Sequence, residues 1–112
     1  MQIEYFHVDA FTDRAFTGNP AGVCLLEKWL AVDLMHRIAS EIGLSETSFI
    51  VPVGPYFEIR WFTPEVEVDL CGHGTLAAGH VLFRHKGFAG PILEFRSHTD
   101  CLTVERTGDV VV

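Results

Sequence analysis

The segment from Asp69 to Gly87, DLCGHGTLAAGHVLFRHKG, constrains the fold more than any other. Leu76, Ala77, Ala78, Val81, Leu82 and Phe83 surround a helical axis almost completely, so this helix lacks a broad polar face for water and must be enclosed on most sides. The surrounding pattern supplies the enclosure. In IEYFHVDAF (3–11), Phe6, Val8 and Ala10 alternate with Ile3, Tyr5, His7 and Asp9, a period of two that predicts a strand. VCLLE (23–27), TSFIVPV (47–53), FEIRWFT (57–63), ILEFRS (92–97), CLTVER (101–106) and DVVV (109–112) read as further strands. Gly54-Pro55 offers a hairpin turn between 47–53 and 57–63, and Gly18, Asn19, Pro20 and Gly22 mark a loop over 12–22. Val32, Met35, Ala39 and Ile42 recur at helical spacing ahead of Gly43, a C-terminal cap, which predicts a second, amphipathic helix. The expected class is α+β: a curved, mostly antiparallel sheet wrapped around a buried central helix, in one domain over 1–112.

Charge and composition narrow what such a domain can meet. Fifteen acidic residues against eight Lys and Arg give a net charge of −7, with the bases scattered, so the counterion-release term that drives nucleic-acid binding is missing. With 48% apolar residues the chain has enough to bury, which excludes disorder. No apolar run approaches the roughly eighteen residues of a membrane span, and MQIEYFHVDA lacks the pattern of a signal peptide, so the expected location is cytoplasmic, away from membranes. Cys24, Cys71 and Cys101 cannot all pair and show no C-x-x-C spacing, so neither a disulfide framework nor a zinc ribbon is encoded. A mean hydropathy of +0.25 in so acidic a chain points to apolar surface left for association.

Two places can carry chemistry. The first is the start of the central helix, Cys71-Gly72-His73-Gly74-Thr75, where unpaired amides and the positive end of the dipole favour an anion, most simply a carboxylate. The glycines either let that ligand approach the backbone or only permit tight packing where a strand enters a helix. Cys71 has two readings as well: a thiol made more acidic by the helix N-terminus, suited to act as base or nucleophile, or a small buried apolar residue, the reading its neighbours favour. His73 can donate to a substrate or stand as an ordinary structural imidazole. His80 and His85 fall on different helical faces and no H-E-x-x-H pattern occurs, so no metal is expected. The second place is Gly43-Leu44-Ser45-Glu46-Thr47, at the junction of the amphipathic helix and a buried strand. A carboxylate carried into a partly apolar site can both take and return a proton, which singles out Glu46 from the solvated glutamates usual at turns. Asp9 and Asn19 flank the first loop as polar groups able to orient a ligand, or as ordinary turn residues.

The succession FHVDAFTDRAFTGNPAGVCLL, IASEIGLSETSFI and FEIRWFTPEVEVDLCGHGTLAAGHVLF resembles the N-terminal half of the phenazine-biosynthesis PhzF-like isomerases, in the diaminopimelate-epimerase superfamily. The resemblance implies two similar domains, each a curved sheet around a central helix, with substrate held in the cleft between them. It implies that Glu46 is the proton shuttle, that His73 contacts the substrate, and that Asn19, Ser45 and Gly72 match further site positions, next to Gly74 and Thr75 at the same helix start. Cys71 stands where the phenazine enzyme has alanine, and CGHGT resembles the proline-racemase motif, whose thiol is a catalytic base working with a second Cys from the other domain. The expected activity is cofactor-free proton transfer on a small carboxylate-bearing substrate, with Glu46 ranked above Cys71 as the base. The family's C-terminal domain has no counterpart in these residues, which leaves a homodimer or a complementing domain as the expected partner. A ligand-binding module without turnover is the alternative.

Overall fold

The computed structural model describes residues 3–8, 20–69, 71–107 and 110–111, the last four residues of this set by backbone alone. The strands are β1 (Glu4–Val8), β2 (Ala21–Leu25), β3 (Glu46–Val53), β4 (Tyr56–Phe62), β5 (Glu67–Val68), β6 (Ile92–Arg96), β7 (Cys101–Thr107) and β8 (Val110–Val111); the helices are α1 (Val32–Ile42) and α2 (Gly72–Arg84). The ends of two expected strands, at 9–11 and at 109 and 112, and most of the expected loop, 12–19, lie outside the described residues.

The sheet runs β1-β2-β3-β4-β6-β7-β8, with β5 pairing β4 off this path. Five pairings are antiparallel; β2 with β3 and β4 with β6 are parallel. Parallel neighbours need a crossover, and each helix supplies one, α1 between β2 and β3 and α2 between β4 and β6. The two helices lie on opposite faces. Val23, Ile50, Ile59, Trp61, Leu93, Phe95 and Val104 pack on the inner face with Ala77, Ala78, Val81 and Leu82 of α2. Cys24, Phe49, Val51 and Phe62 form the outer face and pack on Met35 and Ala39 of α1. Successive residues Phe49, Ile50 and Val51 therefore divide between two cores, which is why β3 reads as an unbroken apolar run rather than an alternation. Each such side chain contributes about 1.5–3 kcal/mol on full burial.

Local chemistry sets the ends of the elements. Gly43 takes φ 75°, the left-handed conformation that closes α1, and its amide bonds the Ala39 carbonyl at 3.0 Å. Gly54, at φ 58°, turns β3 back into β4. β2 begins at Ala21 rather than Val23, because Gly22 belongs to the sheet: a Cβ there would stand 2.9 Å from the Tyr5 ring on β1. α2 is buried along most of its circumference, with His73, Leu76 and His80 only partly covered and Arg84 exposed. His80 and His85, which helical spacing puts on different faces, meet edge to face at 5.8 Å because His85 is the residue that leaves the helix. Among the described residues no helix is long and apolar enough to cross a membrane.

Candidate active site at the tip of the central helix

Glu46 is the first residue of β3, directly after the turn that ends α1. It shares the inner face with Ser48 and Ile50, so the strand's alternation aims its carboxyl group toward α2. Its Oε1 is buried without a hydrogen-bond partner. Ser45, one residue earlier, is exposed.

Cys71 caps α2. Its backbone is extended (φ −148°, ψ 99°), its Sγ accepts the Gly74 amide at 3.2 Å, and its carbonyl accepts both the amide and the hydroxyl of Thr75, at 3.0 and 2.8 Å. Glu46 lies close enough to the thiol to raise its pKa, so the two residues singled out as rival bases are neighbours at the tip.

Burial pushes the Cys71 thiol up to about 11, Glu46 beside it adds to the rise, and the amides of Gly74 and His73 oppose it without overcoming it. Of the two readings of Cys71, burial at the tip favours the small buried residue over the acidified thiol, because loss of water outweighs the amides. Cys24, under α1, is pushed up to about 12 by burial, and all three thiols are free.

The two glycines of the motif separate. A Cβ on Gly74 would lie 2.7 Å from Ser48 Oγ, 2.9 Å from Trp61 Cδ1 and 3.2 Å from Cys71 Sγ, so Gly74 is there for packing. A Cβ on Gly72 would meet nothing within 4 Å, and this exposed residue leaves the backbone open to a ligand. Thr75 is buried, its hydroxyl proton committed to Cys71. His73 is half-buried on the first turn. The structure thus gathers Glu46, Cys71, Gly74 and Thr75 with His73 and Gly72 at one helix tip, while Asn19 and Asp9 lie outside the described residues.

Two residues at the tip were not singled out by the sequence. Ser48 is fully buried and donates to the Gly74 carbonyl at 3.0 Å. Trp61, directly across from Ser48 on β4, is 1% exposed, and its Nε1 is buried without a partner. A serine inside the apolar run TSFIVPV was the available signal for the first, since a buried hydroxyl needs a reason. The second depends on strand register and left none.

A family model described as phenazine biosynthesis-like protein matches residues 8–111. An uncharacterized isomerase of Pseudomonas aeruginosa is 54% identical over all 112 residues, which span 43% of its length. The human phenazine biosynthesis-like domain-containing protein is 45% identical over the whole chain, which spans 42% of it. Among solved structures, a PhzF-family protein of Enterococcus faecalis superposes with a TM-score of 0.90 at 48% identity, covering 97% of this chain and 42% of that one. A predicted epimerase of P. aeruginosa superposes at 0.73 and 26% identity, covering 96% and 40%. The chain spans less than half the length of each of these relatives. With the family match reaching from the first strand to the last, and near-half identity carried on the same fold, the chain belongs to the phenazine biosynthesis-like (PhzF) family.

Proposed function

We propose that the chain carries one half of an isomerase or epimerase site that moves a proton on a small carboxylate-bearing substrate, with Glu46 as the acid and base. The observation that carries this reading is the placement of Glu46 beside the Cys71 cap at the tip of α2: an inward carboxyl group with one buried, unpartnered oxygen next to a thiol whose pKa burial raises. A protonated thiol donates a hydrogen bond and holds its neighbour's orientation, and it is a poor base near neutral pH. Cys71 therefore orients Glu46. Gly72 and His73, at the open side of the helix start, hold the substrate's negative charge and its donor contacts, with Ser45 and Asn19 as further binding positions. The step removes a proton from a carbon acidified by a neighbouring carboxyl group or unsaturation and returns it to the same or an adjacent carbon, so no redox partner is needed.

The test is deuterium incorporation from D2O into a panel of small carboxylates bearing an acidic C–H. Glu46→Gln abolishes incorporation if Glu46 is the base; incorporation unchanged by that substitution overturns the assignment. Saturable binding of the same carboxylates without any exchange, in the wild-type chain, would instead mark a binding module. The covering of the tip by Cys71 is the feature that favours this second reading.

The relatives' greater length supports a site completed by another surface, and the proposed partner is a complementing domain or a second copy of the chain, acting in the cytoplasm. Light scattering at micromolar concentration gives a dimer mass for a second copy, and a monomer mass rejects the second copy.

A further inference from the structure

We infer that Ser48 is a positioning residue for the Glu46–Cys71 pair: its hydroxyl, donated to the Gly74 carbonyl, ties the first turn of α2 to the strand that carries Glu46 and sets how the thiol meets the carboxyl group. The inference rests on the proposed role of Glu46. The contacts form a chain. Glu46 and Ser48 are two residues apart on one face of β3; Ser48 Oγ reaches Gly74 O at 3.0 Å; the Gly74 amide reaches Cys71 Sγ at 3.2 Å; and Glu46 lies near enough to that thiol to raise its pKa. The shared strand, the Ser48–Gly74 bond and the Gly74–Cys71 bond thus connect the carboxyl group to the thiol beside it, and the Ser48 bond joins the helix's first turn to the strand without passing through either of them.

Two features indicate that the link is specific. Gly74 is the residue that admits it, since any Cβ there would stand 2.7 Å from the hydroxyl. Trp61, opposite Ser48, closes the other side, its Cδ1 2.9 Å from the same Cβ position. The Gly74 carbonyl lies in the first turn of α2 and has a second lone pair beyond its helical partner, which the serine uses. A hydroxyl in this fully buried position displaces an apolar group that would pack as well, and a catalytic pair needs positional tolerance of about 0.5 Å.

Carbon-13 labelling at cysteine Cβ reads the Cys71 titration directly by NMR in the full chain, without substrate. Removal of water is the leading cause of the high thiol value, so a tip that loosens and wets shifts its midpoint downward. Ser48→Ala is expected to lower the Cys71 midpoint from about 11 by roughly one unit, with Cys24 unmoved and far-ultraviolet circular dichroism unchanged. Ser48→Thr, which keeps the hydroxyl, is expected to retain the wild-type midpoint. A Ser48→Ala protein that melts earlier with its Cys71 midpoint unmoved overturns the inference and leaves Ser48 a stability residue. If Ser48→Ala does not fold, Gly74→Ala displaces the hydroxyl from the helix side and is read the same way. A lowered midpoint in Ser48→Ala together with normal deuterium incorporation in Glu46→Gln would retain the tie and reject the role of Glu46, so the two failures are distinguishable.

Discussion

The two ends of α2 differ in kind. At its N-terminal tip, Glu46, Ser48, Trp61, Cys71 and Gly74 fill the space, with Ser48 and Cys71 bonded to Gly74 and with an oxygen of Glu46 and the Trp61 Nε1 left without partners. At its C-terminal end, Leu25, Ile50, Pro52, Phe57, Leu82 and Phe88 line a cavity of about 370 Å³. Leu82 stands eight residues beyond Gly74, about 12 Å along the axis. This cavity is thus remote from Glu46 and Cys71, and the charged residues lining it are Glu4, Glu27 and Lys86, of which Lys86 is held by Glu4 at 2.9 Å.

Substitutions at the two ends should separate accordingly. Trp61→Ala is expected to cost about 3–5 kcal/mol in chemical denaturation, and Phe88→Ala, half-buried beside a cavity that already exists, roughly half of that or less. Equal costs would break the contrast. Within the tip, Gly74→Ala is expected to lose about 1–3 kcal/mol by overpacking against Ser48 and Trp61, while Gly72→Ala stays within about 0.5 kcal/mol.

Alkaline pH sharpens the picture further. The folded-state value of Cys71, about 11, lies above its ordinary 9.0, so the folded state disfavours the thiolate. Its contribution to stability is full below pH 9 and is lost as pH climbs from 9.0 toward about 11, and Cys71→Ser should flatten that part of the decline in denaturant titrations. Cys24 should keep its own share of the decline in that variant. The smallest effect is expected at the other end, where Lys86→Gln breaks an exposed ion pair and should shift stability by no more than about 0.5 kcal/mol.

What the sequence revealed depended on how local its cause was. α1 was legible to the residue, since its apolar spacing and Gly43 act within one turn of each other. The class of fold followed from one helix apolar on nearly all sides. The start of β2 was missed because Ala21-Gly22 resembles loop composition, whereas Gly22 serves the close approach of Tyr5 from β1, a contact across the sheet. β5 is two residues long and carries no period. The parallel pairing of β2 with β3 also has no local mark, and it is what doubles the burial of β3.

At the site, Glu46, Cys71 and the helix start were visible as residue types in a motif, and the family resemblance ordered them. How far Cys71 would depart from an acidic thiol was not visible, because it turns on burial by the surrounding fold rather than on position in the helix. Ser48 and Trp61 escaped notice for the same reason: each matters through the residue across from it.

The central claim is that the carboxyl group, and not the thiol beside it, moves the proton. Deuterium incorporation by Glu46→Gln and Cys71→Ser, measured side by side near neutral pH on one carboxylate that the wild-type chain exchanges, tests it most directly. Loss of incorporation in Glu46→Gln with most of it retained in Cys71→Ser is the predicted result. Retention in Glu46→Gln with collapse in Cys71→Ser would contradict the account and assign the chemistry to the thiol.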